Sequence, residues 1–181
     1  YYVFHSFSIV NTSEGEIDES ETDFIVFNRK LGVLCIEAKA GLPEYKNNRW
    51  LYGSGIPMSH DGPFRQASRR KHGLIDRLKK TGLGDIVKRC KFVHAVWFIS
   101  VEDKRYFKNR ELPVEAPIDL ILTQESENDL DAAIQSIFAL ESRFETTLGQ
   151  RDVDILLNRV LAPQFGAISL AEYRRGHEKV V

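Results

Sequence analysis

The 181-residue sequence predicts an α/β domain with a mixed central β-sheet flanked by helices. Three observations carry that prediction. Runs rich in β-branched and aromatic residues alternate with helix-periodic segments in the order β, ββ, α, β, β, α, α. Two of the runs, GVLCIEAK (32–39) and KFVHAVWFISV (91–101), are almost continuously apolar, as strands buried on both faces are. A segment opening at Pro63 carries Phe64, Ala67, Leu74, Ile75 and Leu78 as one apolar helical stripe.

The elements follow in chain order. YYVFHSFSIV reads as a strand, and the Asn/Thr/Ser/Glu/Gly cluster after it reads as a loop. DFIVF and GVLCIEAK form a hairpin across NRKLG, with Gly32 suited to a bulge or left-handed position. A Gly/Pro/Asn-punctuated stretch follows, with a short strand at RWLYG; Asp61 and Gly62 are cap candidates for the helix at Pro63. KFVHAVWFISV belongs in the sheet centre, and IDLILT is a further strand. A helix is expected from Asn128, its N-cap, to a stop at Gly149, and a second over VDILLNRVLAP. The pattern Ser169-x-x-Glu172 opens a terminal helix. This divides the chain into a domain over 1–149 and a helical segment over 150–181, expected to link to a further domain.

A hydrophobic content of 43% with 28% charged residues places the chain among ordinary soluble globular proteins, and no apolar run reaches the roughly 18 residues of a membrane span. The opening residues show no basic leader or small-residue cleavage site, and Cys35 and Cys90 sit inside apolar runs, which suits buried thiols in a reducing compartment. Cytoplasm is the expected location. Charge is unevenly spread: ten Lys or Arg lie between Pro63 and Lys91 against Asp76 and Asp85, whereas Glu14 to Asp23 holds six acids and no base. A basic flank beside an acidic pocket suits a polyanion partner.

The hairpin carries the chemistry. If Phe27 opposes Val33, then Asp23 falls opposite Glu37 and Glu21 opposite Lys39, with 21, 23, 25, 27 and 33, 35, 37, 39 on one face and Phe24, Val26, Leu34, Ile36 and Ala38 on the other. Directly opposed Cβ atoms lie about 4.5 to 5.5 Å apart, close enough for two carboxylates to share a hard cation. Without one, the carboxylates would repel, and a lysine beside them eases that repulsion and can hold a phosphate. The plain alternative is charge placed on a strand for solubility.

An acid opening a strand, a hairpin, and then apolar-Glu-x-Lys resembles the PD-(D/E)XK nuclease superfamily. The wider pattern resembles its nuclease-related domain (NERD) branch, found at the N-terminus of superfamily 1 helicase-like proteins. The matching residues are Glu21-Thr22-Asp23-Phe24, Ile36-Glu37-Ala38-Lys39-Ala40-Gly41, Trp50, Pro63-Phe64-Arg65-Gln66-Ala67 and the strand HAVWFIS, over roughly 1–125. The resemblance implies a restriction-endonuclease-like core and a Mg²⁺- or Mn²⁺-dependent deoxyribonuclease. It makes Asp23 and Glu37 metal ligands, Lys39 the residue that positions or deprotonates water, and Gln66 a further residue lining the site. Asp18, in the alternative motif Gly15-Glu16-Ile17-Asp18, competes with Asp23, and the third ligand is open between Glu21, Asp18 and a residue before Tyr1.

Arg65, Arg69, Arg70 and Lys71 on the basic helix are the candidate contacts to DNA, double- or single-stranded. The chain holds no GxxxxGK[ST] loop, so any ATPase or helicase partner lies in another domain or chain. Cys90 and His94 share a strand face but are too few for zinc, and Ser100 has no triad partners. Trp50 is either core or a base-stacking platform. The competing function is a catalytically silent module that recruits DNA to a helicase, and a weaker one is a purely structural interaction domain.

Overall fold

The computed structural model describes residues 1–13, 16–59 and 62–161, with the side chains of 7–20 outside that description. The chain divides into two compact units, Tyr1–Leu148 and Gly149–Val181. In the first, the strands are β1 (Tyr2–Ser13), β2 (Glu16–Asn28), β3 (Gly32–Lys39), β4 (Pro43–Lys46), β5 (Arg49–Tyr52), β6 (Phe92–Phe98) and β7 (Ile121–Leu122). The helices are α1 (Gly62–Lys80), α2 (Gly84–Arg89) and α3 (Leu130–Ala139). Five strands form one sheet in the order β1-β2-β3-β6-β7, and β4 and β5 form a separate hairpin. β1, β2 and β3 are antiparallel, while β3, β6 and β7 run parallel, so the sheet is mixed as the sequence predicts.

The β2–β3 turn locks the register. Asn28 Oδ1 accepts from the backbone N–H of Lys30 at 2.8 Å and of Leu31 at 3.2 Å, an Asx-type closure. Gly32 has φ +118°, and a Cβ there would stand 2.3 Å from the carbonyl oxygen of Lys91, which itself accepts from Val33 N–H at 2.9 Å. Only glycine fits both the dihedral and the space. The resulting pairs run from Asn28–Gly32 through Phe27–Val33 to Phe24–Ile36, the register expected from the sequence.

Alternation along the strands then decides which helix covers which face. Val26, Leu34, Ile36, Val93, Ala95 and Leu122 meet Ile134, Ile137 and Phe138 of α3, whose i, i+3, i+4 spacing lines one helical side. On the opposite face Val96 and Phe98 pack with Phe64 and Ala67 of α1. Phe27, Phe64, Phe98 and Phe138 are among the largest fully buried side chains, each contributing about 1.5 to 3 kcal/mol by leaving water.

Several expectations are corrected. The cluster after the first strand is not all loop: residues 11–13 continue β1, and 16–22 belong to β2, with pairing out to Ser13–Glu16. The short strand expected at RWLYG has a partner in β4, which pairs with β5 through Asn47 and Asn48, whose φ values of +51° and +59° suit a two-residue hairpin turn. IDLILT holds a 3₁₀ turn followed by the two-residue β7. The expected helix from Asn128 to Gly149 spans only Leu130–Ala139. Its cap is Asp129, which accepts from Ala132 N–H at 3.0 Å, in place of Asn128.

The rest is drawn away by distant partners. Thr146 Oγ1 donates to Leu31 carbonyl at 2.9 Å and accepts from Lys91 N–H at 3.0 Å, and Thr147 N–H donates to Arg89 carbonyl at 2.8 Å. β-Branched threonines with side-chain-to-backbone bonds favour extended chain over helix.

Gly149 caps the start of the second unit's helix, α4 (Gln150–Ile155), which continues as a π-helical turn to Leu161. Asp61 and the segment from Ser169 lie outside the described residues. Among the described residues no helix is long and apolar enough to cross a membrane.

Asn28→Ala is expected to lower unfolding stability by about 1 kcal/mol and Gly32→Ala by at least about 2 kcal/mol, in urea titrations followed by circular dichroism. Equal losses would mean that the Lys91 carbonyl does not confine position 32.

Candidate active site

Asp23 lies where β2 parts from β3. The β2–β3 ladder ends at Phe24–Ile36, and the β1–β2 register passes from His5–Phe24 to Phe7–Thr22 without a Ser6–Asp23 pair, Ser6 having φ +53°. In place of a backbone pair, Asp23 Oδ2 accepts from Ala38 N–H at 2.7 Å, fastening its carboxylate to β3 between Glu37 and Lys39. The latter two, two residues apart on one strand, share a face, and Lys39 Nζ contacts Glu37 Oε1 at 2.6 Å.

Beyond Lys39 the strand end is held by Ile99 N–H on its carbonyl at 3.1 Å and by Gly41 N–H on Ser100 Oγ at 2.8 Å. The serine thus positions the strand exit.

Glu37 is only 6% exposed. Burial raises its pKa above the usual carboxylate range; the hydrogen bond and charge of Lys39 oppose that, Asp23 adds to it, and Arg70 of α1 opposes it. Asp23, Glu37, Lys39 and Arg70 therefore form one electrostatic group. Gln66 lies one helical turn before Arg70 on the same side of α1. Its Nε2 donates to Ser59 Oγ, while its Oε1 is buried without a hydrogen-bond partner among the described residues.

The four basic candidates of α1 separate. Arg65 is exposed and its Nε contacts Glu115 at 3.1 Å. Arg69 is exposed, whereas Arg70 is half-buried, with its Nε enclosed and lacking a described partner. Lys71 turns inward. It is half-buried near Cys35, and burial holds its ammonium below the usual lysine range. The reason is helical phase: 64, 67, 71, 74 and 78 make one stripe, so position 71 faces the sheet.

Arg70 beside Glu37 was anticipated only as a backbone contact; its i, i+4 spacing from Gln66 is the signal that links it to the site.

Cys35 on the same sheet face is fully buried and its thiol is pushed up to about 12 by that burial, with Lys71 opposing. Cys90 precedes β6, and its thiol donates to Lys91 carbonyl at 3.4 Å, so it is not aligned with His94 on a strand. Trp50 is 6% exposed and belongs to the core with Phe64 and Phe98.

The donor set suits a hard cation. Asp23 and Glu37 each have one oxygen engaged in a hydrogen bond, and a carboxylate retains further lone pairs beyond one such bond. Mg²⁺ is commonly held by one or two carboxylates, with water and substrate phosphate completing its shell. Among the described residues no group of three or more His, Cys, Asp or Glu gathers for a metal, and Glu21 is exposed. The side chain of Asp18 lies outside the described residues.

Residues 1–100 match the family model described as nuclease-related domain. No curated protein and no solved structure matches the chain.

Because the folded-state pKa of Glu37 is raised, the folded chain keeps that proton to higher pH than the unfolded chain, and stability falls as pH rises from the ordinary carboxylate value through the raised one. Glu37→Gln removes this dependence. Urea unfolding of both proteins is expected to show a stability difference, variant minus wild type, that grows with pH across that window and levels off above it. A difference independent of pH would show that Glu37 titrates alike in both states.

Proposed function

The chain belongs to the nuclease-related domain family, and from that premise we propose that it is a Mg²⁺- or Mn²⁺-dependent deoxyribonuclease whose active site is Asp23, Glu37 and Lys39, with Arg70 and Gln66 contributed by α1. The observation that supports this most is the anchoring of Asp23 to Ala38 N–H, between Glu37 and Lys39, which puts two carboxylates and an amine at one strand end.

Asp23 and Glu37 hold the cation, which when bound supplies Lewis acidity toward a phosphoryl oxygen. Lys39 has one of its three N–H donors committed to Glu37. The other two orient the attacking water and a phosphate oxygen, neutralising charge as it builds. Arg70 faces the same centre and balances the negative charge of the phosphodiester; Gln66 orients water or substrate from the preceding turn. Arg65 and Arg69 serve the DNA backbone. The setting that fits this reading is the cytoplasm, with any helicase or ATPase activity supplied by another domain or chain, as the sequence holds no GxxxxGK[ST] loop.

A second reading is favoured by one observation, the lack of a third described metal ligand: a silent module that binds DNA and leaves hydrolysis to a partner. With supercoiled and single-stranded DNA and Mn²⁺, the wild type is expected to cleave. Lys39→Ala is expected to lose at least about 100-fold in rate while still binding DNA. Binding without metal-dependent cleavage by the wild type would establish the silent module instead.

The inward turn of Lys71 has a separate consequence. Arg69→Ala is expected to weaken DNA binding and reduce the slope of log K against log salt by about one contact, whereas Lys71→Ala leaves the slope unchanged. A slope change for Lys71→Ala, read by fluorescence anisotropy at several salt concentrations, would return that lysine to the DNA surface.

A further inference from the structure

A cavity of about 600 Å³ lies between the β4–β5 hairpin and the start of α1, walled by Tyr45, Arg49, Trp50, Ser59, Arg65 and Glu115. We propose that it is a nucleotide subsite, receiving the unpaired nucleotide next to the scissile phosphate. The proposal rests on the nuclease reading for the place of that nucleotide in the reaction, and on the cavity itself for the ligand.

Ser59 in the cavity wall accepts a hydrogen bond from Gln66, and Gln66 lies four residues before Arg70, which faces Glu37. Four residues of helix advance about 6 Å along the axis, so the cavity and the carboxylate centre are served by successive turns of α1. The buried Oε1 of Gln66, without a described partner, lies in the turn that joins them and can accept from a bound ligand.

Tyr45 is half-buried and offers a ring edge to one flat group, backed at 5.4 Å between ring centroids and 58° by the core residue Trp50, of which only a small part reaches the cavity. Trp50 is held rigidly: it stacks on Phe64 at 5.6 Å and 28°, and a Cβ at Gly62, whose φ is +68°, would come within 2.4 Å of its ring. Arg49 is exposed at the hairpin, and Arg65 is oriented through its Nε by Glu115 at 3.1 Å, which among the described residues leaves its terminal guanidinium nitrogens for an anion.

The Tyr45 ring and two guanidinium groups match the base and phosphate of a nucleotide, and the volume falls within the range of small-ligand sites. A base seated there has left both its stack and its pair, so the substrate is single-stranded DNA or a frayed end.

The test uses the full chain in EDTA, which removes the metal from the question, with deoxyadenosine 5′-monophosphate as probe and NMR relaxation of the ligand as readout. Saturable binding is expected, at least about 10-fold tighter than that of deoxyadenosine or of inorganic phosphate alone. The Arg49→Ala/Arg65→Ala double variant is expected to bind at least about 10-fold more weakly with unchanged thermal unfolding, and Lys88→Ala, on the exposed face of α2, to bind as the wild type does. The absence of saturable binding up to about 10 mM, or a double variant that binds as well as the wild type, overturns the subsite. Mononucleotide binding with this pattern in a protein that cleaves no DNA supports the subsite and sinks the nuclease reading alone. Cleavage without mononucleotide binding does the reverse.

Discussion

The register of β2 against β3 is the constraint on which the site depends. A slip of one residue would send Asp23 and Glu37 to different faces and turn the apolar residues of β2 that pack on α3 toward α1. Three groups prevent it: the Asn28 side chain closing the turn, Gly32 accepting a dihedral that other residues resist, and the Lys91 carbonyl occupying the space where a Cβ would go. None of the three is itself part of the proposed chemistry. They act some five residues away, through the two-residue period of the strands, and so connect turn composition to the placement of carboxylates at the far end of the hairpin.

At that far end the fold accepts an electrostatic cost. A carboxylate as enclosed as Glu37 is destabilising when ionised, and Lys39 and Arg70 offset only part of this, because its pKa remains raised. A core built for stability alone would place an apolar residue there, as it does at Val33 and Cys35 along the same strand face. The charges instead cluster where the β2–β3 ladder ends and Asp23 is fastened by its side chain. Strain and incomplete pairing of this kind are concentrated where binding or catalysis requires them.

Much of this was legible because it rests on local periodicity. Alternation in DFIVF and GVLCIEAK specified the faces, and the mixed sheet followed from the order of elements. The failures have non-local causes. Nothing near Thr146 and Thr147 in sequence announces that they bond to Leu31, Lys91 and Arg89, and those bonds end α3 ten residues before the expected stop at Gly149. The polar ribbon of β1 and β2 looked like a loop because its strands pair mainly with each other and lack the long apolar run of a central strand. Lys71 lies on the 64, 67, 74, 78 stripe, and its flexible stem lets it pack inward despite its charge, a placement that helical periodicity carries and charge counting does not. Arg70, its neighbour, was credited with a generic phosphate contact when its spacing from Gln66 pointed at the carboxylates.

The two cysteines carry a consequence of another kind. Cys35 and Cys90 are both sealed from solvent, and burial pushes both thiols up to about 12. In the closed molecule neither presents the thiolate that alkylating reagents and peroxides attack. Their modification therefore has to await transient opening of the sheet beneath α1 or of the chain entering β6. The rate at which a thiol reagent consumes these groups is then a clock for breathing of the interior, one the protein carries without any engineered probe.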